Sequence, residues 1–133
     1  MSGTYARPEL LASPDWLAEH LGRQGVRVVD CRYRVDGSAR QLHAEGHIPG
    51  AMNVPATLLT VPGEQVFQDA ETCGRLFTSA GVQRGRRVVT YDGSGIAAAK
   101  AAFVLGLLGY PDVAVYDAGW SDWGARADLP VDR

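Results

Sequence analysis

Short apolar runs alternate with longer segments of helical character along this chain. The runs at 26–30, 87–91 and 113–116 are rich in valine and tyrosine, which is typical of strands. They are largely apolar rather than alternating with polar residues, as expected for strands of a parallel sheet that is covered on both faces. The order of elements therefore predicts an α/β fold with a short, mostly parallel central sheet and helices on both faces.

Capping residues predict where the helices begin and end. Ser13, followed by proline, predicts the N-cap of a first helix that stops at Gly22. Asp69 predicts the N-cap of another helix, with Gly81 as its left-handed terminator. The other expected elements are short helices at 39–45 and 119–123, a long helix at 97–108, a turn at 36–38, a tight loop and short strand within 47–54, and a loop with little regular structure at 56–68.

Composition fits one globular domain. The chain has 133 residues, of which 46% are hydrophobic and 21% charged, and its net charge is -2 with both signs interspersed. This balance argues against a nucleic-acid or membrane partner. We expect a single domain at 10–124, with poorly ordered tails at 1–9 and 125–133.

The cysteines and the N-terminus bear on compartment and cofactors. Cys31 and Cys73 lie far apart and show no metal or redox spacing, and the histidines show no zinc pattern. We therefore expect no metal and no cofactor. No secretion signal or apolar stretch of transmembrane length is visible, and a reducing cytoplasmic location is the expectation.

The segment after the 87–91 strand has the form of an anion-binding cup. It reads Asp92-Gly93-Ser94-Gly95-Ile96-Ala97 and leads directly into the long helix. At a strand-to-helix turn of this kind, backbone N–H groups and the helix dipole both favour negative charge. A cysteine there would be held as a thiolate and could act as a nucleophile. Asp92 supplies the charge without the sulfur.

Four stretches together resemble the rhodanese family, in its thiosulfate/3-mercaptopyruvate sulfurtransferase branch. They are Val28-Val29-Asp30-Cys31-Arg32, Gly46-His47-Ile48-Pro49-Gly50-Ala51, the segment 91–98, and the stretch from Gly109 to Trp123. The resemblance implies a rhodanese-like fold. It also implies that Asp92 stands where active members have the cysteine that takes up sulfane sulfur as a persulfide and passes it to a thiophilic acceptor.

The chain departs from the active pattern at two positions of this loop. The mercaptopyruvate-type loop reads Cys-Gly-Ser-Gly-Val-Thr, so Asp92 replaces the cysteine and Ala97 the threonine. The stretch 32–37 and the opening 8–17 resemble the inactive N-terminal halves of tandem sulfurtransferases, whereas the ending at 120–123 resembles an active half. The chain is thus either a stand-alone degenerate domain or half of a former tandem protein.

Each candidate residue has an alternative interpretation. Asp92 is either a built-in anion that accepts N–H bonds from its own loop, which we favour, or a nucleophile of the aspartyl-phosphate type, which would need a magnesium site with Asp30 or Asp117. Ser94 has no visible histidine base, so a loop-stabilising role is favoured. Cys31 is interpreted as a buried hydrophobe, with a relocated sulfur carrier as the alternative.

The residues Asp30, Arg32 and His47 are interpreted as structural. The resemblance implies that the His47 motif packs against the Asp30 strand, and that Asp30 and His47 fix the geometry of the loop. The function predicted is a catalytically silent domain, a pseudoenzyme that serves binding, regulation or a tandem partner. A small sulfur-containing anion is expected to be excluded by Asp92, and a protein partner stays open. The alternative is an active sulfurtransferase that uses another cysteine, or in which Asp92 is an introduced substitution.

Overall fold

The sheet has four parallel strands in the order β2-β1-β3-β4, in a computed structural model that describes residues 5–23, 25–33 and 39–133. The strands are β1 (Val26–Asp30), β2 (Met52–Asn53), β3 (Arg87–Tyr91) and β4 (Val113–Val115). Val28 pairs with Val89, and Val89 with Ala114. Parallel pairing and strands of apolar residues confirm the predicted α/β class. The turn expected at 36–38 lies outside the described residues.

The described residues contain five α-helices: α1 (Pro14–His20), α2 (Ala39–Glu45), α3 (Ala70–Ser79), α4 (Ile96–Leu107) and α5 (Gly119–Trp123). Helices α2, α3 and α4 connect successive strands, whereas α1 precedes β1 and α5 follows β4. Ser13 caps α1 by accepting the Trp16 N–H at 3.1 Å, and Asp69 caps α3 by accepting the Thr72 N–H at 2.7 Å. Gly81 follows α3 with φ +81°. These caps are the ones predicted from the sequence, because Ser and Asp satisfy N–H groups that a helix leaves free.

Two hydrophobic clusters lie on the two sides of the sheet. One places Val29 and Val88 against Phe77 of α3 and Ala101 of α4, and the other places Val89 against Leu17 of α1 and Trp123 of α5. Successive strand residues point to opposite faces, so one run of valines feeds both clusters. Helices on both faces confirm the predicted layering.

The structure differs from the sequence prediction in two segments. The loop expected at 56–68 contains a 3-10 helix at Ala56–Leu59 and a backbone bridge between Thr60 and Phe67. The terminal segment 125–133, expected to be poorly ordered, packs back onto the domain. Asp132 exchanges two backbone hydrogen bonds with His47, at 2.9 and 3.0 Å, and Trp123 donates its indole N–H to the Pro130 carbonyl.

Near the N-terminus, a 3-10 helix at Pro8–Leu10 precedes a backbone bridge from Leu11 to Val115 of the edge strand β4. Composition did not reveal these attachments, because backbone pairing at chain ends needs no apolar side chains. None of the helices in the described residues combines the length and the hydropathy needed to span a bilayer.

Candidate functional site

The loop between β3 and α4 closes around the carboxylate of Asp92. One carboxylate oxygen accepts the N–H of Gly95, and the other accepts the N–H of Ala97 at 3.0 Å. Asp92 is 7% exposed, so its charge is compensated by backbone dipoles rather than by bulk water. Gly95 makes this turn possible: its φ of +100° is one that side-chain-bearing residues rarely adopt.

Helix α5 holds the same loop from behind. Trp120 donates its backbone N–H to the Asp92 carbonyl at 2.8 Å, and Ser121 donates its hydroxyl to the Gly93 carbonyl at 2.8 Å. Gly119, with φ +65°, lies so close that a Cβ there would be 2.3 Å from the Asp92 carbonyl oxygen. Because α5 binds the loop carbonyls on one side, the Gly95 and Ala97 N–H groups are directed to the other side, where the Asp92 carboxylate accepts them.

The other loop residues differ in exposure. Ala97 is buried, Gly93 and Gly95 are partly buried, and Ser94 and Ile96 are exposed, Ile96 to 81%. No histidine is hydrogen-bonded to the Ser94 hydroxyl among the described residues, so the structure shows no base that would make it a nucleophile. Within the same residues, no group of three histidine, cysteine, aspartate or glutamate side chains could hold a metal ion.

A second carboxylate lies at the end of β1. Asp30 is fully buried and receives the Arg32 guanidinium in a two-point contact, Nε to Oδ1 at 2.9 Å and Nη2 to Oδ2 at 2.7 Å. The Arg32 backbone N–H adds a bond of 3.0 Å to Oδ1. Burial alone would lower the pKa of the Arg32 guanidinium, but the hydrogen bonds and charge of Asp30 outweigh it and the pKa is raised. The pair is therefore a charged, hydrogen-bonded unit.

Arg32 also connects the Asp30–Arg32 pair to other parts of the fold. It donates to the Gly46 carbonyl at 2.6 Å, and its guanidinium carbon lies 4.7 Å from the ring centroid of Trp120. Trp120 packs against the hydrophobic cluster around Val89. The structure shows that it also covers the Arg32 cation with the face of its ring, a favourable cation–π arrangement.

His43, and not His47, supplies the histidine that contacts Asp30. Its Nδ1 lies 2.7 Å from Asp30 Oδ2, and its ring stacks on that of His47 with centroids 3.8 Å apart. His47 Nδ1 is 2.8 Å from the His43 carbonyl oxygen. From the sequence, His43 showed no zinc pattern and no other indication of a role. The four-residue spacing of the two histidines was the available signal, because His43 lies in the last turn of α2 and His47 just beyond its end, a separation at which side chains of neighbouring turns can meet.

Tyr91 lies between the two aspartate sites. It directly precedes Asp92, but its hydroxyl accepts the Ile48 N–H at 3.1 Å, in the loop that the Arg32 unit supports. Burial, with a contribution from the Asp30 charge, raises the pKa of Tyr91 far above its usual value. The phenol is thus a neutral group in the folded protein.

The two cysteines are free and buried. Cys31 is fully buried, and desolvation together with the charges of Asp30 and Asp92 raises the pKa of its thiol well above the usual value. Burial also raises the pKa of Cys73, whose Sγ lies within 3.8 Å of two backbone carbonyls, those of Leu59 and Gln68. Both thiols are therefore held in the protonated, weakly nucleophilic form.

Comparison with known proteins identifies the scaffold. A family model described as rhodanese-like domain matches residues 13–126. The chain belongs to the rhodanese-like domain family. The 3-mercaptopyruvate sulfurtransferase of Escherichia coli K12 is 44% identical to it over 87 residues, and the thiosulfate sulfurtransferase of Gallus gallus is 35% identical over 122 residues.

These matches cover 65% and 89% of this chain, but only 30% and 42% of the two relatives. The chain thus spans less than half the length of these curated relatives. Among solved structures, the crystal structure of YnjE matches 98% of the chain and 32% of its own, with a TM-score of 0.80 at 24% identity. The wild-type structure of EanB matches with a TM-score of 0.80 at 21% identity, over 96% of the chain and 32% of its own. At this identity the two structures support the rhodanese-like fold alone.

Proposed function

We propose that this rhodanese-like domain is catalytically silent in sulfur transfer and serves as a binding, regulatory or tandem-partner domain. The observation that carries the proposal is the position of the Asp92 carboxylate. It fills the loop where the resemblance places the sulfur-accepting cysteine, and it uses the Gly95 and Ala97 N–H groups itself.

A carboxylate at this position is unsuited to the family chemistry. A persulfide needs a sulfur nucleophile, and the carboxylate oxygens of Asp92 cannot provide one. The donors of this chemistry, thiosulfate and 3-mercaptopyruvate, are anions, and the buried negative charge at Asp92 repels them at close range. The Gly95 and Ala97 N–H groups, which could otherwise hold a substrate anion or stabilise a thiolate, are already used by Asp92.

The remaining thiols give little support to an active enzyme. Cys31 and Cys73 are buried, and burial raises the pKa of each thiol. Sulfur transfer by either one would require a large opening of the core. Two free buried thiols are compatible with a reducing compartment, and a cytoplasmic location remains part of the proposal.

The test is sulfur transfer from thiosulfate and from 3-mercaptopyruvate to cyanide, measured on this chain and on the Asp92→Cys variant. We expect no turnover by the chain above the uncatalysed rate, because loss of a covalent nucleophile costs several orders of magnitude. Activity in Asp92→Cys would show that the loop is otherwise competent. An inactive variant would place the defect at Ala97 as well, which Asp92→Cys combined with Ala97→Thr then examines.

Turnover by the unchanged chain would overturn the proposal. The sulfur would then have to pass through Cys31 or Cys73, and Cys31→Ala and Cys73→Ala would identify which. Each of these variants keeps Asp92 in place, so the loss of activity in one of them would be assigned to that thiol.

A further inference from the structure

The solvent face of α4 is apolar. Its exposed positions are Ile96, Ala99, Phe103, Gly106 and Leu107, which we call the α4 face. Ile96 is 81%, Phe103 58% and Leu107 65% exposed. The opposite side of the helix is also apolar, with Ala98, Ala101 and Leu105 in the core. A helix that is hydrophobic all round is normally covered on every side.

The adjoining loop extends this surface. The ring of Phe67 stacks on that of Phe103, with centroids 5.9 Å apart, and Val66 next to it is 55% exposed. With large side chains of about 200 Å² each, the exposed parts of Val66, Phe67, Ile96, Phe103 and Leu107 amount to roughly 600 Å². That equals the largest patch of a typical monomer, and it is near the roughly 800 Å² per partner of a standard interface.

The α4 face carries almost no charge. Lys100 is the one ionisable residue between Ile96 and Leu107; it is partly buried, and its Nζ lies 3.4 Å from the Thr60 hydroxyl. A surface with a single ionisable residue offers little to a charged partner, and it limits like-charge repulsion when it meets a copy of itself.

The spacing of large and small residues makes the α4 face complementary to itself. Ile96, Ala99, Phe103 and Gly106 follow one another at intervals of three and four, the pattern of a coiled-coil seam. Large side chains occupy the first and third positions, and small ones the second and fourth. When two such helices pack antiparallel, the first position of one faces the fourth of the other, and the third faces the second. Each large side chain then meets a small one.

We propose that the chain forms a symmetric dimer in which two α4 faces pack antiparallel. Phe103 then lies over the partner's Ala99, and Ile96 over the partner's Gly106, twice in each dimer by symmetry. A Cβ added at Gly106 would meet nothing within 4 Å in its own chain, so this position is open to a partner. The dimer does not depend on the state of Asp92, and its test is separate from that of catalytic silence.

The first test is a dilution series by sedimentation velocity on the full chain. We expect a monomer–dimer equilibrium with a dissociation constant on the order of micromolar, as suits an interface near the lower standard size. Phe103→Glu weakens the dimer by at least about thirtyfold, the effect of losing a central anchor. Met52→Glu is the matched control, because Met52 is a comparable exposed apolar residue at the β2 edge, 42% exposed.

A chain that stays monomeric at every concentration would overturn the dimer, and the α4 face would then belong to a different partner. A dimer unaffected by Phe103→Glu would equally overturn it. Circular dichroism of both variants shows whether they are folded. If Phe103→Glu is unfolded, Phe103→Ser and Leu107→Ser replace it, since both remove apolar surface without adding charge.

The antiparallel arrangement has its own test by mild oxidation of single-cysteine additions, given that Cys31 and Cys73 are buried. A mixture of Ile96→Cys and Gly106→Cys chains should form a mixed disulfide. Ile96→Cys alone should not form one, because antiparallel packing separates the two copies of residue 96 by about 15 Å along the helix, beyond disulfide reach. Efficient cross-linking of Ile96→Cys with itself would contradict the arrangement.

Discussion

Two buried aspartates lie at the carboxyl ends of the two central strands, β1 and β3, and are held in different ways. Asp92 is bound by the backbone of its own loop, through Gly95 and Ala97. Asp30 is bound mainly by side chains, those of Arg32 and of His43 from α2, with one further bond from the Arg32 backbone N–H. Asp92 therefore neutralises a local concentration of N–H dipoles, whereas Asp30 connects several elements of the fold.

The difference separates a ligand position from a structural one. The loop around Asp92 is held by α5 through carbonyl groups, so its shape does not require a particular side chain at position 92. The surroundings of Asp30 contain the Arg32 cation, whose buried guanidinium does require a carboxylate. Substitution at position 92 should thus alter chemistry more than stability, and substitution at position 30 the reverse.

The largest effect is expected from Asp30→Ala. It leaves the Arg32 guanidinium, 6% exposed, without its counter-charge, and such a loss costs about 3–5 kcal/mol of the free energy of unfolding. Urea denaturation at neutral pH measures it. Asp112→Ala is the control, because it removes an ion pair with Arg87 in which Asp112 is 52% exposed, and it should cost less than about 1 kcal/mol. Equal losses in the two variants would contradict a structural role for Asp30.

Asp92→Ala is expected to cost less, about 1–3 kcal/mol, for the lost hydrogen bonds to a charged acceptor. It also frees the Gly95 and Ala97 N–H groups for an external anion. Sulfate or thiosulfate should then bind the variant and raise its melting temperature, as ligand linkage requires, but should not do so for the unchanged chain. Calorimetric titration provides the direct measurement. Absence of anion binding by the variant would show that Asp92 does not fill an anion site.

The smallest effect is the contribution of the Tyr91 phenol to the pH dependence of stability. Tyr91 adjoins Asp92 in sequence, but the environment of its phenol includes Asp30. Its pKa is raised in the folded protein, chiefly by burial, while in the unfolded chain it ionises near pH about 10. The unfolded state therefore loses the proton first. The contribution of the Tyr91 phenol to the free energy of unfolding is complete below about pH 10. It falls as pH rises further, by up to about 1.4 kcal/mol per pH unit.

Tyr91→Phe should reduce that alkaline slope, measured as the free energy of unfolding against pH. Tyr5→Phe serves as the control, since Tyr5 is 75% exposed and should leave the slope unchanged. An identical slope in the chain and in Tyr91→Phe would assign the alkaline loss to other groups, among them Tyr116, whose pKa burial and Asp122 also raise.

Local patterns predicted a large part of this molecule. The caps at Ser13 and Asp69, the parallel strands and the strand-to-helix turn at Asp92 all depend on residues adjacent in sequence. The His43–Asp30 contact could not be obtained in this way, because it depends on how α2 is placed beside β1. The attachment of Asp132 to His47 was missed for a related reason: it is made by backbone groups, which every residue carries.

The pairing of β1 with β3 also sets an order of events during synthesis. Val28 needs Val89 as its neighbour, and α2, β2 and α3 all lie between them in the chain. Closing so long a loop is entropically costly, and it makes folding of the central sheet slow compared with that of a helical bundle of this size. During synthesis, β1 therefore lacks its β3 partner, and its valines remain exposed, until the chain has left the ribosome as far as Tyr91.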